Sequence, residues 1–165
     1  MLKMLLLRLL NFLLQKREAK KPEPVLRAEL SIGQVWSLLQ TKFPEASIFL
    51  SDTVYQLATL KDIDEFLRVD QTNKMGYVPE ERDCDDFSFR LMGQFSTPEW
   101  SGVALGIIWT DLHALNCFID QNSEFWFIEP QTDNIQQRLV SWQVKNLTDL
   151  VNQITEKFKE VPNNG

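Results

Sequence analysis

Cys84 has the sequence context of a catalytic nucleophile. The residues after Asp83, a good N-cap, have helical spacing, so a helix is predicted to begin at Cys84. Backbone N–H groups at the start of a helix stabilise a thiolate, whereas neighbouring acidic side chains, Asp85 and Asp86 among them, favour the protonated thiol. Cys84 therefore needs a cationic partner. His113 is the only histidine of the chain, so any imidazole base must be this one.

A predicted hairpin brings an acid to this histidine. Strand-like runs occupy residues 113–119 and 124–128, and residues 120–123 between them have a turn composition. A tight turn at Gln121 and Asn122 places Glu129 opposite His113 to within one residue, and opposed side chains on one face lie about 4.5–5.5 Å apart at Cβ. The glutamate would then orient and charge the imidazole, which is the general arrangement of nucleophile, base and orienting group.

Each of these residues also has a structural interpretation. A lone cysteine before a helix is usually structural, and a lone histidine on a strand is more often a satisfied or exposed residue. The second cysteine, Cys117, lies four positions along the strand from His113, about 13 Å away, so it cannot share the same imidazole geometry. Cys117 is therefore predicted to be a core residue.

Acidic residues offer candidate metal ligands at two places. Asp85 and Asp86 lie at the predicted helix start, and Asp133 closely follows Glu129. Carboxylate oxygens suit a hard cation such as calcium, but the spacing around Asp83 is not that of an EF-hand loop. A solvated helix start is the simpler interpretation of the first group.

The composition is that of a folded protein and disfavours nucleic acid as a partner. Of the 165 residues 44% are hydrophobic and 24% are charged, and the net charge is −6. Residues 1–27 carry seven basic and two acidic side chains, whereas residues 28–165 carry ten and 21. A body this acidic repels phosphate backbones. The two cysteines can form at most one disulfide, which does not define a compartment.

Residues 1–21 predict an amphipathic, basic helix with a stripe of leucines. Its apolar run of about 14 residues is too short to span a bilayer, and no small-residue cleavage site follows it. Three interpretations stay open: packing on the body or a partner, a membrane-surface anchor, and an export signal. A cytoplasmic or membrane-surface location is favoured over secretion. Two prolines then mark an extended break, which separates an appendage at 1–24 from a domain at 25–165.

The domain is predicted to be α+β, with N-terminal helices packed on a C-terminal antiparallel sheet. A capping box of Ser31 and Gln34 opens the first helix, and Thr59 caps the second. The predicted elements are, in chain order, a helix from Ile32 towards Pro44, strands at 47–50 and 53–58, a helix at 60–68, a loop at 70–83, a helix from Cys84, strands at 102–109, 113–119 and 124–128, and a helix capped by Asn146.

Four short motifs carry a family resemblance: Tyr77, the sequence DCDDF at 83–87, HALN at 113–116 and IEPQT at 128–132. In these motifs the sequence resembles the papain-like cysteine-protease domain at the C-terminus of the mushroom agglutinins, which is also found as small bacterial and phage proteins. The resemblance extends from about residue 48 to residue 134, over half of the chain.

This resemblance implies a papain-like fold with Cys84 as nucleophile, His113 as base and Glu129 as orienting acid. It implies no required cofactor, but calcium or a related divalent cation as an activator. Papain-like enzymes commonly have an oxyanion-hole glutamine several residues before the cysteine, and here the nearest candidates are Gln71 and Asn73. The β-trefoil half of the agglutinins has no counterpart in the sequence, so the resemblance does not imply sugar binding.

The sequence therefore predicts a cysteine hydrolase, most simply a peptidase with a peptide or protein substrate. One alternative is the same triad acting on cell-wall peptides as an amidase or acyl transferase. The other is a non-catalytic papain-like scaffold, such as a phage or membrane-associated interaction protein. In that case the helix at 1–21 would be the functional part, through peripheral contact with a membrane or through binding a partner.

Overall fold

The computed structural model describes residues 21–26 and 28–139. The helices predicted at 1–21, apart from its last residue, and after Asn146 lie outside this part of the chain. Within it the fold is α+β, with helices and antiparallel sheets, as predicted. No helix among the described residues is long and apolar enough to cross a bilayer.

The described elements follow one another from Ala28 to Gln136. They are β1 (Ala28–Ser31), α1 (Ile32–Lys42), β2 (Val54–Leu57), α2 (Leu60–Val69), a 3-10 turn (Thr72–Lys74), α3 (Cys84–Phe95), β3 (Leu105–Trp109), β4 (Ala114–Ile119), β5 (Phe125–Glu129) and β6 (Asn134–Gln136).

Capping side chains fix the starts of the first two helices. Ser31 accepts a hydrogen bond from the backbone N–H of Gln34, whose side-chain oxygen accepts one from the Ser31 N–H at 2.9 Å. Thr59 and Asp62 form the same reciprocal pair at the start of α2. Asp62 is buried and also accepts from the N–H of Val25 at 3.3 Å, which ties the N-terminal segment to α2. Both predicted caps are confirmed.

A two-stranded sheet precedes the main sheet. The predicted strand at 53–58 is confirmed as β2, whereas the sequence pattern does not predict β1. β1 pairs antiparallel with β2, with Leu30 opposite Tyr55 and both side chains buried. β1 has four residues, too few for a clear alternation of apolar and polar positions. The predicted strand at 47–50 is wrong, because this segment belongs to no strand among the described residues and Phe49 is 92% exposed.

The main sheet is an antiparallel meander in which each of β3 to β6 pairs with the next. The predicted β4–β5 hairpin is confirmed, but its register differs. Asn116 pairs with Ile128, and the Asp120 N–H donates to the Glu124 carbonyl at 2.9 Å beyond the strand ends. The loop proper is therefore the three residues 121–123, with Ser123 in the left-handed region at φ 60°. Asp120 stabilises this loop by accepting from the N–H groups of Asn122 and Glu124 at 2.8 and 2.9 Å. A three-residue loop moves the strands relative to the two-residue turn expected from the sequence.

Aromatic side chains join α2 and α3 in the core. Phe66 of α2 stacks on Phe95 of α3 at 3.7 Å between ring centroids, and both rings pack edge-on against Trp100. The Trp100 Nε1–H donates to the carbonyl of Pro22 at 2.7 Å, and the Lys21 ammonium lies 4.8 Å from the Phe66 ring. The start of the segment predicted as a linker therefore packs on the body.

Candidate active site

Cys84 is the first residue of α3, as predicted, and its side chain is partly exposed. Asp83 is the N-cap, and the Asp86 carboxylate accepts a hydrogen bond from the Asp83 N–H at 3.2 Å. The thiol therefore sits beside the unpaired N–H groups of a helix start, where negative charge is stabilised. Cys84 is a free cysteine and is partly exposed to solvent, as a reactive thiol must be.

His113 and Glu129 are in direct contact. His113 Nε2 lies 2.7 Å from Glu129 Oε2, and the two residues are only 6% and 5% exposed. The observed register places Glu129 beside Leu115, so the histidine and the glutamate are diagonal rather than opposite neighbours. Diagonal side chains on one face are within reach of each other when they are long. The predicted proximity is confirmed, although the predicted opposition is wrong.

A polar loop holds the histidine at the start of β4. The carbonyl of His113 accepts from the Thr110 backbone N–H at 2.8 Å, and the Thr110 hydroxyl accepts from the His113 N–H at 3.1 Å. Together these bonds close the turn between β3 and β4 and fix the backbone that carries the imidazole. Sequence reasoning missed Thr110, although a threonine three residues before a strand is a turn signal.

Hydrogen bonds fasten the start of α3 to β4. Asn116 on β4 donates from Nδ2 to the carbonyl of Ser88 at 3.1 Å, and the Ser88 hydroxyl donates to the carbonyl of Cys84 at 2.9 Å. Farther along the helix, the Phe89 ring packs at 5.5 Å against Trp109 of β3. The start of the helix is thus held against the strand that His113 precedes. Asn116 was identified from the sequence only as part of the HALN motif, without a role, and Ser88 was not identified.

Tyr77 lies in the loop before α3 and is 53% exposed. Loss of hydration raises the pKa of Tyr77, and the nearby negative charges of Asp83, Cys84 and Glu80 add to the increase. These electrostatic effects place the phenol close to the cysteine. Tyr77 is therefore a neighbour of the candidate nucleophile, in agreement with its place in the motif.

Cys117 has a different environment on β4. Burial raises the pKa of the Cys117 thiol to about 12, and a backbone hydrogen bond with Gly106 opposes the shift without cancelling it. At neutral pH this sulfur is a protonated thiol. Cys117 is partly exposed and belongs to neither core cluster, so the predicted core position is wrong, but its raised pKa disfavours a role as a second nucleophile.

The two oxyanion candidates have their amide groups engaged elsewhere. Gln71 donates from Nε2 to the carbonyls of Val69 and Asp70, at 3.2 and 3.0 Å. Asn73 donates from Nδ2 to the carboxylate of Asp133. An oxyanion role for either residue remains a prediction.

The first group of predicted metal ligands is at the helix start. Asp83, Asp85 and Asp86 offer oxygen atoms that all lie within 4.8 Å of one another. A hydrogen bond between the side chains of Asp83 and Asp85 raises the pKa of Asp83 and lowers that of Asp85. The group is partly exposed, so water and the carboxyl groups themselves satisfy its hydrogen-bonding needs. It gives no independent indication of a cation.

Asp133 belongs to a second group, with Asp70 and Asn73. Burial raises the pKa of Asp133 to about 6, and the negative charge of Asp70 adds to the shift. Lys74 and the hydrogen bond from Asn73 oppose it. The Oδ1 atoms of Asp70, Asn73 and Asp133 are buried and have no hydrogen-bond partner in the part of the chain that the structure describes. Such orphaned oxygens fit the divalent cation that the family resemblance implies.

Comparison with known proteins places the fold among solved structures. No protein-family model matches the chain, and no curated protein matches its sequence. The fold is similar to that of a PSL1a–E64 complex, with a TM-score of 0.59 and 20% identity over 68% of this chain and 46% of that chain. It is also similar to a Polyporus squamosus lectin bound to a human-type influenza-binding epitope, with a TM-score of 0.59 and 18% identity.

The second comparison covers 73% of this chain and 49% of the lectin chain. The protein therefore spans about half the length of these two structures. At this level of identity the likeness establishes the fold alone, an α+β fold shared with a fungal lectin structure. The expected relation to the mushroom agglutinins is thus supported at the level of fold, and the papain-like interpretation remains a prediction.

Proposed function

We propose that this protein is a papain-like cysteine hydrolase, most simply a peptidase. The observation that carries the proposal is the buried contact of 2.7 Å between His113 and Glu129. His113 directly precedes β4, and a hydrogen bond from Asn116 joins β4 to the helix that begins at Cys84. A glutamate that orients an imidazole near a helix-start thiol is the arrangement that nucleophilic catalysis requires.

Charge explains why the histidine and the glutamate suit this role. A buried carboxylate needs a hydrogen bond to offset its lost hydration, and the His113 ring supplies the partner of Glu129 at 2.7 Å. An imidazolium supplies the positive charge that the acidic surroundings of Cys84 call for. The buried pair therefore promotes the thiolate, which is the reactive form of the cysteine.

The proposed reaction proceeds through an acyl-enzyme. Glu129 holds Nε2 of the imidazole, and Nδ1 takes the proton from the Cys84 thiol. The thiolate sulfur attacks the carbonyl carbon of the scissile amide, and the backbone N–H of Cys84 stabilises the oxyanion. The imidazolium of His113 then protonates the leaving amine as the C–N bond breaks. Water, deprotonated by the same imidazole, hydrolyses the thioester and releases the acid.

Turnover of peptides tests the proposal. We would incubate the full chain, with and without calcium, with casein and with a pool of internally quenched peptides. The expected result is cleavage by the parent and by Cys117→Ala, with at least a 100-fold loss in Cys84→Ala. Circular dichroism would establish that the variants fold. Full cleavage by Cys84→Ala would overturn the mechanism, and so would the absence of cleavage by the parent on every substrate.

Two further measurements separate the alternatives. Cleavage confined to cell-wall peptides, or products altered by added amines, would favour the amidase or acyl transferase. Binding to vesicles or to a partner that is lost on deleting residues 1–20 but unaffected by Cys84→Ala would favour the non-catalytic scaffold. Since one structural neighbour is a lectin with a bound epitope, a glycan array is included, and glycan binding without peptide cleavage would contradict the hydrolase proposal.

A further inference from the structure

The first helix of the fold is poorly covered. Among the eleven residues of α1 only Val35 is buried, whereas α2 and α3 each bury four residues. A helix on the surface of a domain usually buries an apolar stripe along its length. Most of the surface of α1 is therefore accessible to a partner.

An apolar groove runs beside α1, between the helix and the tip of the β4–β5 hairpin. Its volume is about 840 Å³. Its apolar surface comes from residues of one hydrophobic cluster of the core, namely Leu30, Leu38, Ile119 and Phe125. Leu38 and Phe125 are only partly buried. The groove is thus the open side of this cluster, and a partner with apolar side chains would complete it.

Polar side chains along the rim of the groove are already hydrogen-bonded within the helix. Ser37 Oγ donates to the Gly33 carbonyl at 2.9 Å, and Thr41 Oγ1 donates to the Ser37 carbonyl at 2.8 Å. Covering these groups costs little because their hydrogen bonds do not depend on water. Gly33, Ser37 and Thr41 are also small and one turn apart, and a Cβ at Gly33 would meet nothing within 4 Å. A second helix can therefore approach α1 closely.

The described chain leaves the sheet beside this groove. β6 is antiparallel to β5, so the residues after Gln136 run towards the start of β5. Gln137 Nε2 donates to Glu124 Oε2 at 3.1 Å, and the two neighbours of Glu124, Ser123 and Phe125, line the groove. The chain beyond the described residues therefore starts next to the groove.

We propose that the C-terminal segment of this chain docks in the groove as a helix. After the predicted N-cap Asn146, five apolar side chains share one helical face: Leu147, Leu150, Val151, Ile154 and Phe158. A helix over 147–158 would be about 18 Å long, against about 16 Å for α1. Residues 140–145 can span about 20 Å when extended, so the segment reaches the groove. Its apolar face would then cover the open side of the cluster.

The segment at 1–20 fits the groove less well. It joins the body at Lys21, whose ammonium donates to the Gln94 carbonyl at 2.7 Å and lies beside Phe66, a member of the other hydrophobic cluster. Among the described residues that line the groove, Lys42 alone is charged. Residues 1–20 carry five basic and one acidic side chain and would be repelled, whereas residues 140–165 carry three of each.

Docking in the groove leaves the proposed active site open. Ile119 and Phe125 flank the tip of the β4–β5 hairpin, whereas His113 and Glu129 lie at its other end. The docked helix would hold the hairpin tip against α1 and extend the core. Docking is therefore independent of the proposed hydrolase activity.

Amide hydrogen exchange of the full chain, followed by mass spectrometry of its peptides, tests the docking. An isolated helix of twelve residues is marginal in water, so protection of residues 146–158 requires packing. We expect these amides to exchange at least tenfold more slowly in the folded parent than in the chain unfolded by urea. Exchange at the unfolded rate in the parent would overturn the proposal.

Two variants of the segment test its apolar face. Ile154→Asp places a charge on this face and is expected to remove the protection of residues 146–158 and to lower Tm by about 3 °C or more. Asn152→Asp adds the same charge on the other side of the helix and is the matched control, which should leave both measurements unchanged. Equal protection in Ile154→Asp and in the parent would contradict docking through the apolar face.

A third variant tests the groove. Ser37 is exposed, and serine and tryptophan have similar helix propensities, so Ser37→Trp should be tolerated by α1 itself. Its indole would occupy the space of the docked helix, and exchange at 146–158 should become at least tenfold faster. Should Ser37→Trp not fold, Gly33→Leu provides the same test. Unchanged protection in the folded variant would reject the groove as the docking site.

Two measurements identify the occupant. Light scattering should give the mass of one chain at the concentrations used for exchange. A dimer whose protection at 146–158 is lost on dilution would assign the groove to the segment of a second copy and overturn the proposal. Protection of residues 1–20 that Ser37→Trp removes would assign the groove to the N-terminal segment instead.

Discussion

The two cysteines of this chain are the same residue in opposite environments. Both are partly exposed, but Cys84 begins a helix and has acidic neighbours, whereas Cys117 lies in the middle of β4, where loss of hydration raises the pKa of its thiol to about 12. The helix start offers N–H groups that stabilise a thiolate, whereas loss of hydration on the strand stabilises the neutral thiol. The reactivity of a cysteine thus depends on the groups around its sulfur, and the residue type alone does not predict it.

The largest effect expected from this difference is in alkylation. With a pKa of about 12, only roughly one in 10⁴ of the Cys117 thiols is ionised at pH 8. We expect iodoacetamide to modify Cys84 at least 1000-fold faster than Cys117 in the folded protein, measured by peptide mass spectrometry over time. In urea above the unfolding midpoint the two rates should become similar. Comparable rates in the native state would remove the contrast.

A second experiment asks whether His113 is responsible for the reactivity of Cys84. His113→Gln removes the base but retains an amide that can donate to Glu129, so the buried carboxylate is not left alone. Alkylation of Cys84 at pH 6.5 should slow by about 10- to 100-fold, while that of Cys117 stays as slow as before. An unchanged rate for Cys84 in the folded variant would mean that the imidazole does not act on this thiol.

Replacing the acid should have a smaller effect on the same rate. Glu129→Gln keeps the shape of the side chain and a hydrogen bond to the imidazole, but replaces a charged acceptor by a neutral one, which holds the ring less firmly. We expect Cys84 alkylation at pH 6.5 to slow by about three- to tenfold. A faster reaction in this variant would contradict the assigned role of the glutamate.

The smallest effect is expected beside the Cys117 sulfur. A Cβ added at Gly106 would lie 3.6 Å from the Cys117 Sγ, which is an ordinary van der Waals contact, and no glycine among the described residues has positive φ. Gly106→Ala should therefore change the free energy of unfolding by less than about 1 kcal/mol in urea titrations and leave Cys84 reactivity unaltered. A loss of more than about 2 kcal/mol would show that the packing around Cys117 is tighter than these distances indicate.

Local signals predicted much of the fold. The caps at Ser31, Thr59 and Asp83 and the turn after Asp120 involve residues within four positions of each other, so their hydrogen bonds can be read from the sequence. β1 and β6 have four and three residues, and their existence depends on partner strands rather than on their own patterns. Short strands of this kind escape analysis by periodicity.

The candidate site also combines features that the sequence predicts with features that depend on the fold. The sequence identified Cys84, His113 and Glu129 and their approximate proximity, but the hairpin register that makes the last two diagonal neighbours depends on one residue more in the loop. It also singled out Asp133 without its partners, since Asp70 and Asn73 lie some 60 positions away.

The sequence by itself determined where helices and turns begin, which cysteine follows an N-cap, and that one histidine and one glutamate meet near the end of a hairpin. These features depend on hydrogen bonds between close neighbours in the chain. Only the tertiary structure decided which side chains are buried, and burial sets the strength of their charges. It raised the pKa of the Cys117 thiol, paired His113 with Glu129 away from water, and left one carboxylate oxygen each of Asp70 and Asp133 without a hydrogen-bond partner among the described residues, because the loss of hydration depends on the whole fold.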